Sequence, residues 1–153
     1  MNQAVINVPF GQLRLIAESD ALTGIEFLLE RHALKKPASP LLKETEAQLA
    51  AYFRDPGHRF DLPLKLSGTD FQRGVWQALR EIRPGSPLTY GQLAEKLGTA
   101  PRAVGGACGA NPIPVVVPCH RVVSALGIGG FMRTKYLGPL NIKSWLLGHE
   151  GSG

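Results

Sequence analysis

Cys119, His120 and Arg121 follow one another inside VVVPCHRVV, residues 115–123, a stretch that is otherwise apolar and β-branched. Taken alone, Cys119 fits a small buried hydrophobe, which is how most free cysteines behave. Metal ligation is disfavoured, because an adjacent Cys-His pair lacks zinc-site spacing and His32, His58 and His149 are not paired with other ligands in such a pattern. Nucleophilic chemistry requires the thiolate. An ordinary thiol, with a pKa of about 8.5, needs a positive charge, a helix N-terminus or a base beside it to ionise at neutral pH. His120 and Arg121 can create such surroundings. Neighbours in an extended strand point to opposite faces, so Cys119 and His120 cooperate only through an irregular backbone or a bridging water. Pro118 favours the irregular backbone.

The elements that hold this trio are legible on both sides. Upstream, Thr69 with Gln72 forms a capping box, Phe71, Val75, Leu79 and Ile82 make one apolar stripe, and Pro84-Gly85 ends that helix. Thr89 with Gln92 forms a second capping box, with Leu93 and Leu97 facing inward and Gly98 as the stop. Pro101 opens a third helix, RAVGGACGA, which Asn111-Pro112 closes. Two short helices around a Gly-containing turn make a helix-turn-helix pattern. The third helix is unusually bare: Gly105, Gly106 and Gly109 each cost roughly 1 kcal/mol relative to alanine in a helix interior. Small residues there serve close packing against another helix, or else entry of the helix, led by Arg102, into a DNA groove. Beyond Arg121 the chain reads as a glycine-rich loop. It closes with a helix over LNIKSWLLGHE, with Asn141 as its cap and Ile142, Trp145, Leu146 and His149 on one side.

The first 66 residues offer no such chemistry. Residues 4–29 alternate apolar and polar types as two or three antiparallel strands that turn near Ser19-Asp20. Ser39-Pro40 starts a helix carrying Leu42, Leu49 and Phe53, which Asp55-Pro56-Gly57 stops. RFDLPLKL reads as an edge strand, since Pro63 cannot donate to a ladder. Two domains follow, 1–66 and 67–153. Residues 1–66 hold eight Lys/Arg against eight Asp/Glu, whereas residues 67–153 hold nine against four, so the net charge of +5 lies entirely in the second half. Such an excess suits a solvated basic face or a nucleic-acid partner. No apolar run approaches the ~20 residues of a membrane span, and the N-terminus lacks the pattern of a secretory signal. Two cysteines are too few for a disulfide framework and fit a reducing compartment. The expected location is cytoplasmic: beside the nucleoid in a prokaryote, nuclear in a eukaryote.

NPIPVVVPCHRVV resembles the active-site segment of the O6-alkylguanine-DNA alkyltransferases, and GTDFQRGVWQALREI, PLTYGQLAEKLG, RAVGGA and KSWLLGHE match the same family in order from Ser67 to Glu150. Residues 1–66 match only weakly. The resemblance implies an α+β protein, with a small N-terminal α/β lobe of ribonuclease H-like form before a mostly helical, winged-helix-like C-terminal lobe. It implies base flipping of O6-alkylguanine from double-stranded DNA and irreversible transfer of the alkyl group to Cys119, once per molecule, without a cofactor or metal and as a monomer. In that pattern His120 is a water-mediated base oriented by Glu150, Asn111 holds the segment, and Tyr90 and Lys143 stabilise the departing guanine. Arg102 fills the gap left by the flipped nucleotide. Ala103, Gly105, Gly106, Thr89 and Tyr90 meet a minor groove that excludes bulky side chains. Tyr90, Val122, Pro114, Trp76 and Phe131 line the base pocket, and Arg121 secures local structure.

Departures from the family pattern are local. The link from Gly98 to Arg102 is short, and the loop GIGGFMRTKYLGPLNIK carries Phe131 near the usual tyrosine position with extra residues before Lys143. Three rival functions stay open: a lesion-binding protein without transfer, a cysteine hydrolase using Cys119 and His120 with Glu150 or Asn111, and a sequence-specific helix-turn-helix regulator.

Overall fold

The computed structural model of the chain describes residues 2–129 and 137–151. The polypeptide divides into two compact units, Met1–Ser67 and Gly68–Gly153.

In the first unit, alternating apolar residues build a sheet with one buried face. β1 (Asn2–Val8), β2 (Gly11–Glu18) and β3 (Ala21–Leu28) form an antiparallel meander in that order. Leu13, Leu15 and Ala17 of β2 are buried together because residues two apart share a face. α1 (Pro40–Arg54) starts where the sequence places it. Ser39 Oγ accepts from the Leu42 amide at 3.1 Å, with proline at the first helical position. Leu42, Thr45, Leu49 and Tyr52 form its buried stripe, while Phe53 stays half-buried with its ring 5.9 Å from Phe10. The strand expected over RFDLPLKL does not form. Leu22 bonds the carbonyl of Pro63 and the amide of Lys65, making one isolated bridge at Leu64, and the proline offers no amide to extend it.

The second unit carries α2 (Asp70–Leu79), β4 (Leu88–Thr89), α3 (Tyr90–Leu97), α4 (Pro101–Gly109), β5 (Val122–Val123) and α5 (Leu137–His149). Both capping boxes are present: Thr69 with Gln72 opens α2, and Thr89 with Gln92 opens α3. Gly98, at φ 68° and ψ 37°, ends α3 in the left-handed conformation that glycine adopts without penalty. α2 is shorter than its apolar stripe suggests. It stops at Leu79, the next residues leave the helix, and Ile82 still turns inward. Phe71 and Leu97 do not face inward as expected; they are 43% and 38% exposed. Each lies in an end turn of its helix, where the buried surface has run out, and Trp76 takes the central position under α4. β4 and β5 pair in parallel, Leu88 with Val122 and Thr89 with Val123, a contact too short to leave a period in the sequence. α5 begins at Leu137, so Asn141 lies inside it instead of capping it.

Candidate functional site

The valine run before Cys119 is a tight turn and not a strand. Pro112 and Pro114 precede it and Pro118 follows it, Val117 N donates to Ile113 O at 2.9 Å, and Val115 takes φ 75° although it is β-branched. Left-handed valine is strained, and such residues persist only where the surroundings over-determine them. Asn111 supplies much of that constraint. Only 2% exposed, it donates from Nδ2 to Val117 O at 2.8 Å, accepts from Ile113 N at 3.0 Å, and hydrogen-bonds Cys119.

Cys119, His120 and Arg121 form one 3-10 turn, with Pro118 before it and the extended Val122 after it. The irregular backbone that lets Cys119 and His120 cooperate is therefore present. His120 is fully buried; its Nε2 lies 2.8 Å from Glu150 Oε2, and its Nδ1 has no hydrogen-bond partner in the protein. A carboxylate can only accept, so the contact assigns the ring proton to Nε2 and leaves Nδ1 as an acceptor. Arg121 grips the same carboxylate, Nε to Oε1 at 2.9 Å and Nη2 to Oε2 at 3.0 Å, while Nη1 donates to Ile82 O at 2.7 Å. Gly85, at φ 82°, packs against the Glu150 backbone; a Cβ there would lie 3.0 Å from the Glu150 carbonyl oxygen.

Electrostatics sets the resting state. Burial pushes the Cys119 thiol up to about 11, against the opposing pull of the Asn111 hydrogen bond, Lys143 and a backbone hydrogen bond. Burial also lowers His120, against the pull of Glu150. Burial thus favours a resting thiol beside a neutral imidazole: Cys119 is 3% exposed, and desolvation outweighs its helpers.

Lys143, from α5, is buried with Nζ donating to Val122 O at 2.8 Å and standing 5.7 Å from the Tyr90 ring centroid. Burial brings it down to about 8, while the Cys119 and Cys108 sulfurs pull it upward. Tyr90, at the start of α3, is pushed up to about 12, first by burial and then by the two cysteines. Gly129 and Gly105 flank its ring: a Cβ at Gly129 would sit 3.1 Å from Tyr90 Cε2, and one at Gly105 would sit 4.0 Å from Cε1. Cys119, His120, Asn111, Glu150, Lys143 and Tyr90 are therefore linked through one neighbourhood.

The remaining predicted residues divide by exposure. On α4, Arg102 and Gly106 are exposed and Ala103 and Gly105 half-buried, while Val104, Ala107 and Cys108 form the inner face. Arg102 is thus the one long side chain on an outer surface of glycine and alanine. Thr89 is occupied as the α3 cap, its Oγ1 accepting from Gln92 N at 3.1 Å. Val122 and Pro114 are buried next to the turn. Trp76 is interior to α2 and α4, 1% exposed, with its indole N–H donating to Ala107 O at 2.8 Å. Phe131 lies outside the described residues. Among those residues, no three His, Cys, Asp or Glu side chains gather as a metal site, and no helix is long and apolar enough to cross a membrane.

Sequence reasoning treated Arg121 as local structure and missed its grip on Glu150. The partners are 29 residues apart, and no spacing rule links them.

The family model described as 6-O-methylguanine DNA methyltransferase, DNA binding domain, matches residues 70–152, and the one described as its ribonuclease-like domain matches residues 1–66. A Methanosarcina acetivorans protein named methylated-DNA–protein-cysteine methyltransferase is 38% identical over 99% of both chains. The crystal structure of Mycobacterium tuberculosis O6-methylguanine methyltransferase superposes with a TM-score of 0.81 at 39% identity, covering 99% of this chain and 93% of that one. The same organism's OGT in complex with DNA gives a TM-score of 0.78 at 40% identity, covering 97% and 91%. Both units match, the buried cysteine turn and the bare helix lie within the DNA-binding match, and the chain belongs to the 6-O-methylguanine DNA methyltransferase family.

Proposed function

We propose that the chain repairs O6-alkylguanine in duplex DNA by direct reversal, moving the alkyl carbon onto Cys119 in one irreversible turnover. The observation that carries this reading is the turn holding Cys119 beside a buried imidazole whose Nε2 is committed to Glu150 and whose Nδ1 has no partner in the protein. The names of the relatives point the same way.

Attack at a saturated carbon needs a soft nucleophile and a stabilised leaving group. The thiol proton passes to His120 Nδ1, directly or through a water, and Glu150 supports the imidazolium that results. Sulfur then bonds the alkyl carbon as the carbon–O6 bond breaks, and that electron pair returns to the purine. Tyr90 and Lys143 both hold protons at neutral pH, so either can donate to the departing guanine. The product at Cys119 is a thioether. A thioether sulfur is a far poorer leaving group than the guanine oxygen, so the alkyl group stays on Cys119 and the protein acts stoichiometrically.

Arg102 enters the base stack from the exposed face of α4, whose glycines let the backbone approach a minor groove closely. Phosphate contacts by the basic second half supply sequence-independent affinity. Tyr90, Val122 and Pro114 border the base, and Trp76 supports α4 from behind. A thiol that must stay reduced fits a cytoplasmic location with access to DNA.

Intact-protein mass after mixing with an O6-methylguanine oligonucleotide tests this reading. A gain of one methylene, mapped to the peptide containing Cys119, is expected. An unchanged mass with retained lesion binding would establish a binding protein instead, and repeated turnover of an ester would establish a hydrolase.

A further inference from the structure

We propose that Arg121 is a positioning residue for alkyl transfer: it holds both oxygens of the Glu150 carboxylate against His120 Nε2, which leaves His120 Nδ1 to take the thiol proton. The inference rests on the alkyl-transfer reading of Cys119 and goes beyond it, because it gives Arg121 a share in preparing the base.

Three hydrogen bonds from one guanidinium fix this arrangement. Nε and Nη2 meet the two carboxylate oxygens of Glu150 at 2.9 and 3.0 Å, and Nη1 meets Ile82 O at 2.7 Å. A planar fork matches a carboxylate in one orientation, whereas an ammonium is a point charge that imposes none. Oε2 accepts from Arg121 Nη2 and lies 2.8 Å from His120 Nε2, so the fork determines where the imidazole finds its acceptor. Both side chains are nearly fully buried, and water cannot substitute for a lost contact at low cost.

Charge gives the grip a second effect. The charged groups facing His120 are Glu150, just past the end of α5, Lys143 from α5 and Arg121 from its own turn, with Cys119 as its chain neighbour; the segment after α2 contributes the Ile82 carbonyl that holds Arg121. Burial is the main influence holding the ring neutral, and Arg121 and Lys143 add to it while Glu150 opposes it. Without the guanidinium, Glu150 would be less compensated and would stabilise the imidazolium, whose Nδ1 is already protonated.

The experiment compares the full chain with Arg121→Lys and Arg121→Met. It records the single-turnover transfer rate on an O6-methylguanine duplex from about pH 5.5 to 9, with 15N NMR of His120 in the unreacted proteins. In the unaltered chain the neutral Nε2–H tautomer is expected at pH 7. Arg121→Lys keeps the charge but loses the fork, so the rate falls about tenfold, as for outer-layer partners of other sites, with the acid limb in place. Arg121→Met loses both, so the acid limb also moves up by roughly one unit. An Nδ1–H tautomer in the unaltered chain would overturn the proposal, as would folded variants with unchanged rates and pH profiles. Should the variants fail to fold, the tautomer of the unaltered chain decides. Absence of transfer by the unaltered chain would sink the underlying reading as well, whichever tautomer is seen.

Discussion

Where the Met1–Ser67 unit buries Leu13, Leu15, Leu22, Leu42, Leu49 and Tyr52 with Gln12 and Thr45 as its buried polar side chains, the Gly68–Gly153 unit buries Asn111, His120, Arg121, Lys143 and Glu150. The first set contains no carboxylate, imidazole, ammonium or guanidinium group. The second concentrates two cations, an acid and an imidazole around one cysteine. Taking charges out of water is expensive, and a buried ion pair seldom stabilises more than well-packed apolar residues would. A fold seeking stability alone has no reason for the second pattern. The comparison teaches that one unit is organised for packing and the other for a reaction, and substitutions in the two should fail differently.

The largest effect falls on the reacting atom. Cys119→Ser should abolish transfer while leaving DNA binding intact, because a hydroxyl is a far weaker nucleophile than a thiolate. Mass spectrometry and a gel-shift assay measure the two; transfer at the normal rate would break the comparison at its centre. Arg102→Ala comes next. It should slow repair of duplex DNA by about tenfold or more, taking a stacking-scale loss of 1–3 kcal/mol, while sparing reaction with free O6-benzylguanine, which needs no flipping. Equal losses on both substrates would remove Arg102 from the DNA-facing role.

In the other unit, Leu13→Ala should cost about 2–5 kcal/mol of stability through the cavity it leaves. Its transfer rate per folded molecule should match the parent, and a rate defect at full folding would erase the division between the units. The smallest effect concerns Cys108, whose thiol burial also pushes up, to about 12. Cys108→Ala should be nearly silent in transfer. In that background, iodoacetamide labelling of Cys119 should keep accelerating through pH 9 towards about 11, because a raised pKa delays thiolate formation. A plateau near pH 7 would show an ionised resting sulfur and reverse our description of the site.

Much of this was legible in the chain itself. Capping boxes at Thr69 and Thr89, the Ser39-Pro40 start and the Gly98 stop are local signals whose partners lie within three or four residues, and they placed the helices correctly. Cys119 and His120 stood out because they interrupt an apolar run. The Glu150 contact followed from family resemblance, since its 30-residue separation from His120 leaves no local trace. Less legible were features decided by tertiary packing. The left-handed Val115, the β4–β5 pairing, the exposure of Phe71 and Leu97 and the protonated resting thiol depend on which surfaces meet, and periodicity cannot report that.

Trp76 gives the molecule an internal optical gauge. Its indole is sealed from solvent and tied by a single N–H donor to the Ala107 carbonyl on α4, the helix that bears Arg102. Fluorescence from that ring is sensitive to the polarity and hydrogen bonding at its nitrogen, so any displacement of α4 on engaging a duplex should register as a spectral change. Trp145, whose ring stacks on His149 at 4.9 Å, lies on a different helix and can be replaced by phenylalanine to isolate the signal.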